Sequence, residues 1–310
     1  LLVVYFSYGF PPPTLLQKLT AISLVAMMLL LGAVGFLLES ALTLRYIPQQ
    51  PLADHTQLRF APTPSGGYAV AQRLFAFDAD LGQNLHLADG QSVAVEVGFP
   101  FPFFGREWRA FYIHDDGVLT FGNPFRYLPA REHRQPMIAP LFMDFDPTYG
   151  AIYYKQLSDH VVITWERMIP SVIAQNADAE PSTFQVRLYR NGWIEFVFAD
   201  LVVAPPFGYK PSQSLWLIGI LPGDGAVLPP SIRLQEQVAY QGAPAQAIVQ
   251  NFYLDYRQSL HHLMLPLVGL IVVGAVFVIF GFPFLLWVVL IQPLNALMLG
   301  VTQVNRGNLE

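Results

Sequence analysis

The residues best suited to chemistry are three neighbouring polar side chains, His114, Asp115 and Asp116. An imidazole beside two carboxylates can serve acid–base catalysis or metal binding, because both kinds of group titrate and coordinate cations. Gly117 follows directly, however, and Asp-Gly is a common turn dipeptide. We therefore favour a turn between two strands as the role of Asp116 and Gly117, and we predict no catalytic residue here.

Two further groups of carboxylates are candidates for a cation site. Asp144 and Asp146 are two residues apart, so on a strand they would face the same side. Asp78, Asp80 and Asn84 have a loosely calcium-like spacing, but no glutamate follows at the twelfth position of an EF-hand loop. Solvated loop carboxylates are the favoured interpretation. Asp144 and Asp146 are kept as the metal candidates, and the overall prediction is no bound metal and no cofactor.

Other common catalytic patterns are absent from the sequence. The chain has no cysteine, which excludes a disulfide framework, a thiolate metal site and a cysteine nucleophile. It has neither a G-x-S-x-G motif nor a glycine-rich phosphate loop. The aromatic run "FPFPFFG" at 99–105 suits an edge strand packed on a core better than an exposed binding strip. An ectoenzyme would need polar side chains that converge in a pocket, and the sequence alone indicates none.

Charge is unevenly distributed along the 310 residues. Only 13% of them are charged and 53% are hydrophobic, whereas about 25% are charged in a typical soluble domain. No charged residue lies between Lys18 and Glu39 or between Arg257 and Arg306. This pattern predicts a water-exposed domain between two apolar flanks. Because the chain has no basic clusters, we do not expect nucleic acid as a partner.

Both apolar flanks are long enough to cross a lipid bilayer. About 20 helical residues, at 1.5 Å each, cover roughly 30 Å of hydrocarbon. We predict transmembrane helices at 19–38 and 263–291, the second bent at Pro283. A cleaved signal peptide is the alternative for the first, but its apolar part would be only about 7–15 residues long. Two spans would put the N-terminal tail, 1–18, on the same side as the C-terminus.

The part between the flanks predicts an all-β, sandwich-like domain over 68–240. Short segments with alternating apolar residues recur there, and turn residues separate them. The clearest hairpin lies at 182–201, where Asn191-Gly192 matches a type I′ turn. Further hairpins are predicted around Ser158-Asp159 and around Asp115–Gly117.

Two connections flank this β domain. Residues 39–67 are rich in proline and glycine towards their end and predict an extended linker. Over 241–262, Ile248, Phe252 and Tyr256 are four residues apart, which predicts a juxtamembrane helix. Such a helix could run without interruption into the second span.

A family resemblance supports the extracellular position of the β domain. The segment "VGFPFPFFGREWRAFYIHDDGVLTFG" at 97–122, followed by "IAPLFMDFDP" at 138–147, resembles the nidogen-like domain of secreted and cell-surface proteins. The resemblance covers about residues 90–222. It implies an adhesive or ligand-binding module outside the cell, without known catalysis and without a particular ligand.

The last stretch, "IQPLNALMLGVTQVNRGNLE" at 291–310, combines a helix with a regular apolar spacing. Leu294, Leu297, Val301 and Val304 are spaced 3, 4 and 3, which is the a/d seam of a parallel coiled coil. Pro293 is expected to redirect the membrane helix.

This stretch is similar to the first helix of a HAMP linker, the dimeric relay of bacterial receptors. The resemblance covers about residues 292–310, and Gln292 departs from it by replacing a frequent basic residue. It implies a cytoplasmic C-terminus, a homodimer and a set of signal-relay residues. These are Pro293, Leu294, Leu297, Val301, Val304, Gly307 and Leu309.

Together these patterns predict a mixed membrane protein: two transmembrane α-helices that flank an all-β extracellular domain and lead into HAMP. We expect the sensory input half of a receptor in the bacterial plasma membrane, with residues 39–262 extracellular or periplasmic and an unknown ligand. The expected output domain is a histidine kinase by family analogy; a SpoIIE-type phosphatase, a nucleotide cyclase or a chemoreceptor domain is the alternative. No catalytic domain is expected within these residues. The rival class is a membrane-anchored adhesion or scaffold protein.

Overall fold

The computed structural model describes residues 52–124, 135–175, 178–202, 216–223, 231–234, 239–251, 268–269 and 271–305, together with helical positions scattered between 17 and 36. It divides the chain into two compact units. Thr43–Gln258 form a β unit, and Leu1–Leu42 with Ser259–Glu310 form a helical unit.

The described part of the β unit contains fifteen strands and two short 3₁₀ helices. The 3₁₀ helices are Pro147–Tyr149 and Ser171–Ile173. The strands are β1 Thr56–Pro62, β2 Tyr68–Arg73, β3 Gln83–Asn84, β4 Ser92–Phe103, β5 Arg106–His114, β6 Leu119–Thr120, β7 Met137–Phe142, β8 Phe145–Asp146, β9 Ala151–Gln156, β10 His160–Pro170, β11 Ser182–Tyr189, β12 Ile194–Asp200, β13 Leu217–Leu221, β14 Ala239–Gln241 and β15 Ile248–Asn251.

These strands form two antiparallel sheets. The larger sheet has the order β14-β2-β1-β12-β11-β10-β9-β3, and β8 pairs with β10 beside it. The smaller sheet has the order β15-β13-β7-β6-β5-β4. The predicted all-β, sandwich-like class is therefore confirmed for this unit.

Aromatic side chains fill the interior between the sheets. Phe121 contacts Phe101, Phe103 and Phe111 at ring-centroid distances of 5.0 to 6.1 Å. Trp165 stacks on Phe184 at 5.2 Å. Each large side chain of this kind stabilises the fold by about 1.5–3 kcal/mol when it leaves water. The "FPFPFFG" run contributes three of its phenylalanines to this core, as the packing interpretation predicted.

The smaller sheet is buried on both faces along β7, β13 and β15. Ile138, Ile220 and Ile248 face the main core, whereas their neighbours along the strands form a second apolar cluster. That cluster consists of Val118, Met137, Ala139, Phe142, Leu217, Leu221, Ala247 and Val249. Burial on both faces explains why "MIAPLF" and "LIGIL" are continuous apolar runs without the alternation of a half-exposed strand.

The predicted hairpin at 182–201 is confirmed, but its turn type was wrong. Phe184, Val186 and Leu188 are buried as the alternation predicted. A type I′ turn needs positive φ at both central residues, and here only Gly192 has one, at 85°. The amide of Gly192 donates to the carbonyl of Tyr189, and Tyr189 also pairs with Trp193. The connection is thus a three-residue loop that ends in a left-handed glycine.

Two predicted connections are partly strands. Within the predicted linker 39–67, β1 lies inside the larger sheet and pairs with both β2 and β12. Within the predicted helix 241–262, β15 pairs with β13, from Ile220 opposite Ile248 to Leu217 opposite Asn251. Burial of β-branched residues on both faces of β15 outweighed the helical spacing, which is a weaker local preference. Residues 252–262 lie outside the described part of the chain.

The helical unit contains a long apolar helix near the C-terminus. Ile271–Thr302 is, by length and composition alone, long and apolar enough to cross a membrane. Its backbone passes through a π segment at Phe277–Gly281, an α-helix at Phe282–Leu286, a second π segment at Trp287–Ile291 and an α-helix at Gln292–Asn305. Gln292 has helical angles (φ −62°, ψ −51°) and the backbone stays helical past Pro293 to Asn305. The redirection of the helix at Pro293 stays a prediction.

The two π segments explain how the helix tolerates its prolines. A proline ring collides with the carbonyl four residues earlier and supplies no N–H. For Pro283 and Pro293 that carbonyl belongs to Ile279 and Val289, and each of these lies at the middle of a π segment. The wider π turn moves the carbonyl away from the ring.

The N-terminal flank is also helical at its described positions. Met27–Phe36 is an apolar helix that is too short by itself to count as a span. Within this unit, the methyl group of Met27 lies where a Cβ at Gly274 would be, so the two helices contact each other here. The first span at 19–38 stays a prediction.

The fold makes a prediction about Gly117, whose φ is +71° and whose added Cβ would collide with the carbonyl oxygen of Leu141. Gly117→Ala should lower the free energy of unfolding by roughly 2–4 kcal/mol, measured by denaturant titration with tryptophan fluorescence. Gly90 is a matched control, since its φ is +69° and the space around it is open. Gly90→Ala should therefore cost only about 1 kcal/mol. Equal losses for the two variants would contradict the close packing of this turn.

Candidate functional site

The His114–Asp116 triplet lies at the end of β5 and in the turn that leads to β6. Strand β5 pairs with β6 through Tyr112 opposite Thr120, which confirms the predicted strand–turn–strand arrangement. His114 is buried, and its Nε2 lies 2.8 Å from the hydroxyl of Thr120. Burial lowers the pKa of His114 to about 4, so the imidazole is neutral at pH 7.

The two carboxylates of the turn hold neighbouring loops through backbone amides. Asp115 Oδ2 accepts a hydrogen bond from the amide of Gly90 at 2.6 Å. Asp116 Oδ1 accepts from the amide of Phe145 at 3.1 Å, and the carbonyl of Asp116 accepts from the amide of Met143. The turn thus connects to the segment before β4 and to the segment between β7 and β8.

Burial makes both carboxyl groups hard to ionise, and the charge of Asp115 adds to the effect at Asp116. Desolvation raises the pKa of Asp115 to about 6. Desolvation, followed by the nearby charge of Asp115, raises the pKa of Asp116 to about 8. Asp116 is therefore largely protonated at neutral pH. A group of this kind can donate a hydrogen bond, but it holds no charge with which to attract a cation.

The other predicted carboxylates also have structural partners. Asp144 accepts a hydrogen bond from the hydroxyl of Ser171 at 2.8 Å, and Asp146 caps a 3₁₀ helix by accepting from the amide of Thr148 at 2.9 Å. Lys155 forms ion pairs with both Asp78 (3.3 Å) and Asp80 (3.0 Å). The Asn84 side chain accepts from the amide of His86.

These contacts do not bring the predicted carboxylates together into a metal centre. Within the described ranges, no group of three or more His, Asp or Glu side chains is arranged to hold a metal ion. The predicted relay residues Leu294, Leu297 and Val301 lie on the C-terminal helix and are exposed. Gly307 and Leu309 lie outside the described residues, and the side chain of Val304 is not described.

Sequence reasoning missed a network of buried charges on the outer face of the larger sheet. Glu195 is buried, and its two carboxylate oxygens contact Arg59 (2.6 Å), Arg187 (3.4 Å) and the hydroxyl of Tyr189 (3.0 Å). Directly opposed charges of this kind stabilise neighbouring strands. The cross-strand register of Glu195 with Arg59 and Arg187 produces the cluster.

The segment 74–82, here called the strap, covers part of this outer face. It leaves β2 and ends at β3, which lies near the opposite edge of the sheet. The amide of Ala76 donates to the side chain of Gln57, and Arg187 donates to the carbonyl of Ala76. Gln185 makes two bonds with the backbone of Asp78, of 3.0 and 2.8 Å. The strap therefore pairs with side chains of the sheet that alternation alone would place in water.

An exposed aromatic residue lies beside the network. Trp193 is 36% exposed, and the guanidinium of Arg59 lies 4.4 Å from its ring centroid. Tyr189 packs edge-to-face against Trp193 at 6.3 Å and stacks on His160 at 4.8 Å. The indole thus screens one side of the Arg59–Glu195 ion pair and offers an aromatic surface at the end of the sheet.

Comparison with known families agrees with the β fold. Residues 67–220 match the NIDO-related family model. The chain therefore contains a NIDO-related domain, and the predicted nidogen-like resemblance over 90–222 is supported and extended to an earlier start. No solved structure matches the chain. In the structure, β1, β14 and β15 lie outside the matched range and complete the sheets of the NIDO-related domain.

The raised pKa of Asp116 predicts a pH-dependent stability. The unfolded carboxyl ionises near 3.8, whereas the folded one resists ionisation up to about 8, so the contribution of Asp116 to stability should fall as the pH rises between these values. Asp116→Asn keeps an acceptor for the amide of Phe145 and removes the ionisation. The variant should gain roughly 1–3 kcal/mol over the wild type at pH 8, after discounting for partial exposure, and little at pH 4.

Denaturant titrations at several pH values would measure this effect. Asp200→Asn is the control, because Asp200 is exposed on β12. The difference from the wild type should grow more with pH for Asp116→Asn than for this control. Parallel stability profiles for Asp116→Asn and the wild type would show that Asp116 ionises normally in the folded state.

Proposed function

We propose that the chain is the input half of a bacterial membrane receptor. In this proposal the NIDO-related domain lies outside the cell, the apolar flanks cross the plasma membrane, and residues 292–310 begin a HAMP linker. The linker would pass the signal to a cytoplasmic output domain, for which a histidine kinase is the first choice by family analogy. A SpoIIE-type phosphatase, a cyclase and a chemoreceptor domain are alternative outputs.

One observation carries this proposal: the apolar helix is longer than a bilayer requires and continues without a break. The 32 residues of Ile271–Thr302 correspond to about 48 Å, compared with roughly 30 Å of hydrocarbon. About a third of the helix would therefore extend beyond the lipid. That extension coincides with the residues that are similar to HAMP.

The extension bears the apolar seam of the proposed dimer. Leu294, Leu297 and Val301 are 51%, 66% and 65% exposed in the single chain. Leucine and valine in water favour association, and their spacing suits knobs-into-holes packing of two parallel helices. A second copy of the chain would cover them.

The proposed mechanism is a change in helix position that begins outside the cell. A ligand or surface that favours one arrangement of two NIDO-related domains would shift the apolar helices by piston, tilt or rotation. The HAMP helices would pass this bias to the output domain. The shift can be no larger than the difference in the ligand's binding free energy between the two states.

The transmembrane arrangement predicts opposite labelling of two cysteine variants. Ser65→Cys lies in the exposed β1–β2 turn, and Thr302→Cys lies at an exposed position of the helix extension. The native chain has no cysteine to interfere. A membrane-impermeant maleimide should label position 65 in intact cells or spheroplasts and position 302 only after permeabilisation. Labelling of both from the same side would contradict the receptor topology.

The seam predicts a position-specific disulfide cross-link between two copies. Leu297→Cys and Val301→Cys should form cross-linked dimers in membranes at least about fivefold more efficiently than Met298→Cys and Leu299→Cys. These controls are well matched, because Met298 and Leu299 are 67% and 65% exposed. Equal cross-linking at all four positions would indicate random collision. A chain that never dimerises but still holds cells to a surface would favour the adhesion class.

A further inference from the structure

The two sheets protect their outer edges in different ways. An exposed edge strand presents unpaired backbone groups and invites pairing with another chain. In the larger sheet both terminal strands are very short, with three residues in β14 and two in β3. At one end of the smaller sheet, β15 is covered by residues 231–234, since the amide of Ile232 donates to the carbonyl of Val249.

Strand β4, at the other end of the smaller sheet, is protected along only half of its length. It has twelve residues. The second half carries Pro100 and Pro102 and an irregularity between Glu96 and Phe101, and these features discourage pairing. The first half, Ser92–Glu96, has no proline and one charge. Within the described part of the chain, its backbone hydrogen bonds are those with β5.

The core beneath this half of β4 is not fully closed. Val93 and Val95 face the main core but remain partly exposed. Their partners on β5, Ile113 and Phe111, are 0% and 1% exposed. An added strand would cover the open sides of the two valines and would pair the backbone groups that have no partner among the described residues.

We propose that Ser92–Glu96 is an interface at which a second copy of this chain adds its own β4 in antiparallel orientation. A two-fold axis at Ala94 places Val93 of each copy opposite Val95 of the other and Glu96 opposite Ser92. Cross-strand pairs of β-branched residues are favourable, and no like charges face each other. The smaller sheets of the two copies would then join into one continuous sheet.

The segment favours a second copy over a foreign peptide for two reasons. Its sequence is self-complementary about Ala94. In addition, and here the inference rests on the proposed receptor, paired membrane helices would hold two domains at an effective concentration on the order of mM. A two-fold axis is also the symmetry expected of a homodimer.

Disulfide cross-linking of the full chain in membranes tests the interface. Ala94→Cys places two cysteines opposite each other at the axis and should give at least about fivefold more cross-linked dimer than Gln83→Cys. Gln83 is a suitable control, because it is exposed on β3, the short edge strand of the larger sheet. Co-expressed Val93→Cys and Val95→Cys chains should cross-link with each other, and either alone should not.

A second measurement avoids cysteines altogether. The backbone amides of Ser92–Glu96 should exchange slowly with deuterium in the membrane-bound dimer. Ala94→Lys, an exposed substitution that sets two positive charges face to face, should speed their exchange by about tenfold or more. Co-expression with an Ala94→Glu chain should restore slow exchange, since the mixed pair is complementary.

Each outcome decides between the two proposals. Seam cross-links at Leu297 without cross-links at Ala94 would overturn the β4 interface and leave the receptor proposal intact. Cross-links at Ala94 without any at the seam would support the interface and count against the HAMP dimer. Cross-linking of Ala94→Cys to a different protein, or equal yields at Ala94 and Gln83, would overturn the interface.

Discussion

The indole Nε1 of Trp165 donates a buried hydrogen bond of 2.9 Å to the carbonyl oxygen of His114, and this bond joins a strand of one sheet to a strand of the other. Trp165 also stacks on Phe184, and the Phe184 ring lies against Gly117. The turn that follows His114 can therefore hold only residues that fit between two sheets. Asp116 satisfies backbone amides there, and Gly117 leaves room for the Leu141 carbonyl. A displacement of the sheets that broke this bond would leave the buried indole N–H without its partner, which is costly.

The same constraint explains why the residues of a motif that suggests catalysis make structural contacts in this protein. A histidine and two aspartates in one turn are a fair candidate for chemistry on residue type alone. Burial removes the charge from the imidazole and opposes ionisation of the two carboxyl groups. Their bonds go to Thr120 and to the amides of Gly90 and Phe145. The Asp116-Gly117 dipeptide was the more informative signal, because it indicated a turn in which the glycine has a positive φ.

Prediction from the sequence succeeded where an apolar spacing followed from the geometry of a single strand. The alternation of Phe184, Val186 and Leu188 follows from a strand with one face in the core, so the hairpin could be predicted. It failed where burial came from a distant segment. Arg187 and Gln185 occupy the outward positions of the same strand, yet the strap covers them, and 74–82 has no periodicity that reveals its path. The strand at Ile248 was missed for the related reason that its partner, β13, lies far away in the sequence.

The two π segments of the apolar helix have a mechanical consequence. Each lies just before a proline, where the regular i→i−4 hydrogen bond cannot form. With a backbone hydrogen bond missing, the helix should bend and twist more easily there than an unbroken α-helix does. We expect displacement along the axis to pass through Pro283 and Pro293 with little loss. A rotation applied at one end of the helix would be partly lost at these two prolines before it reached the other end.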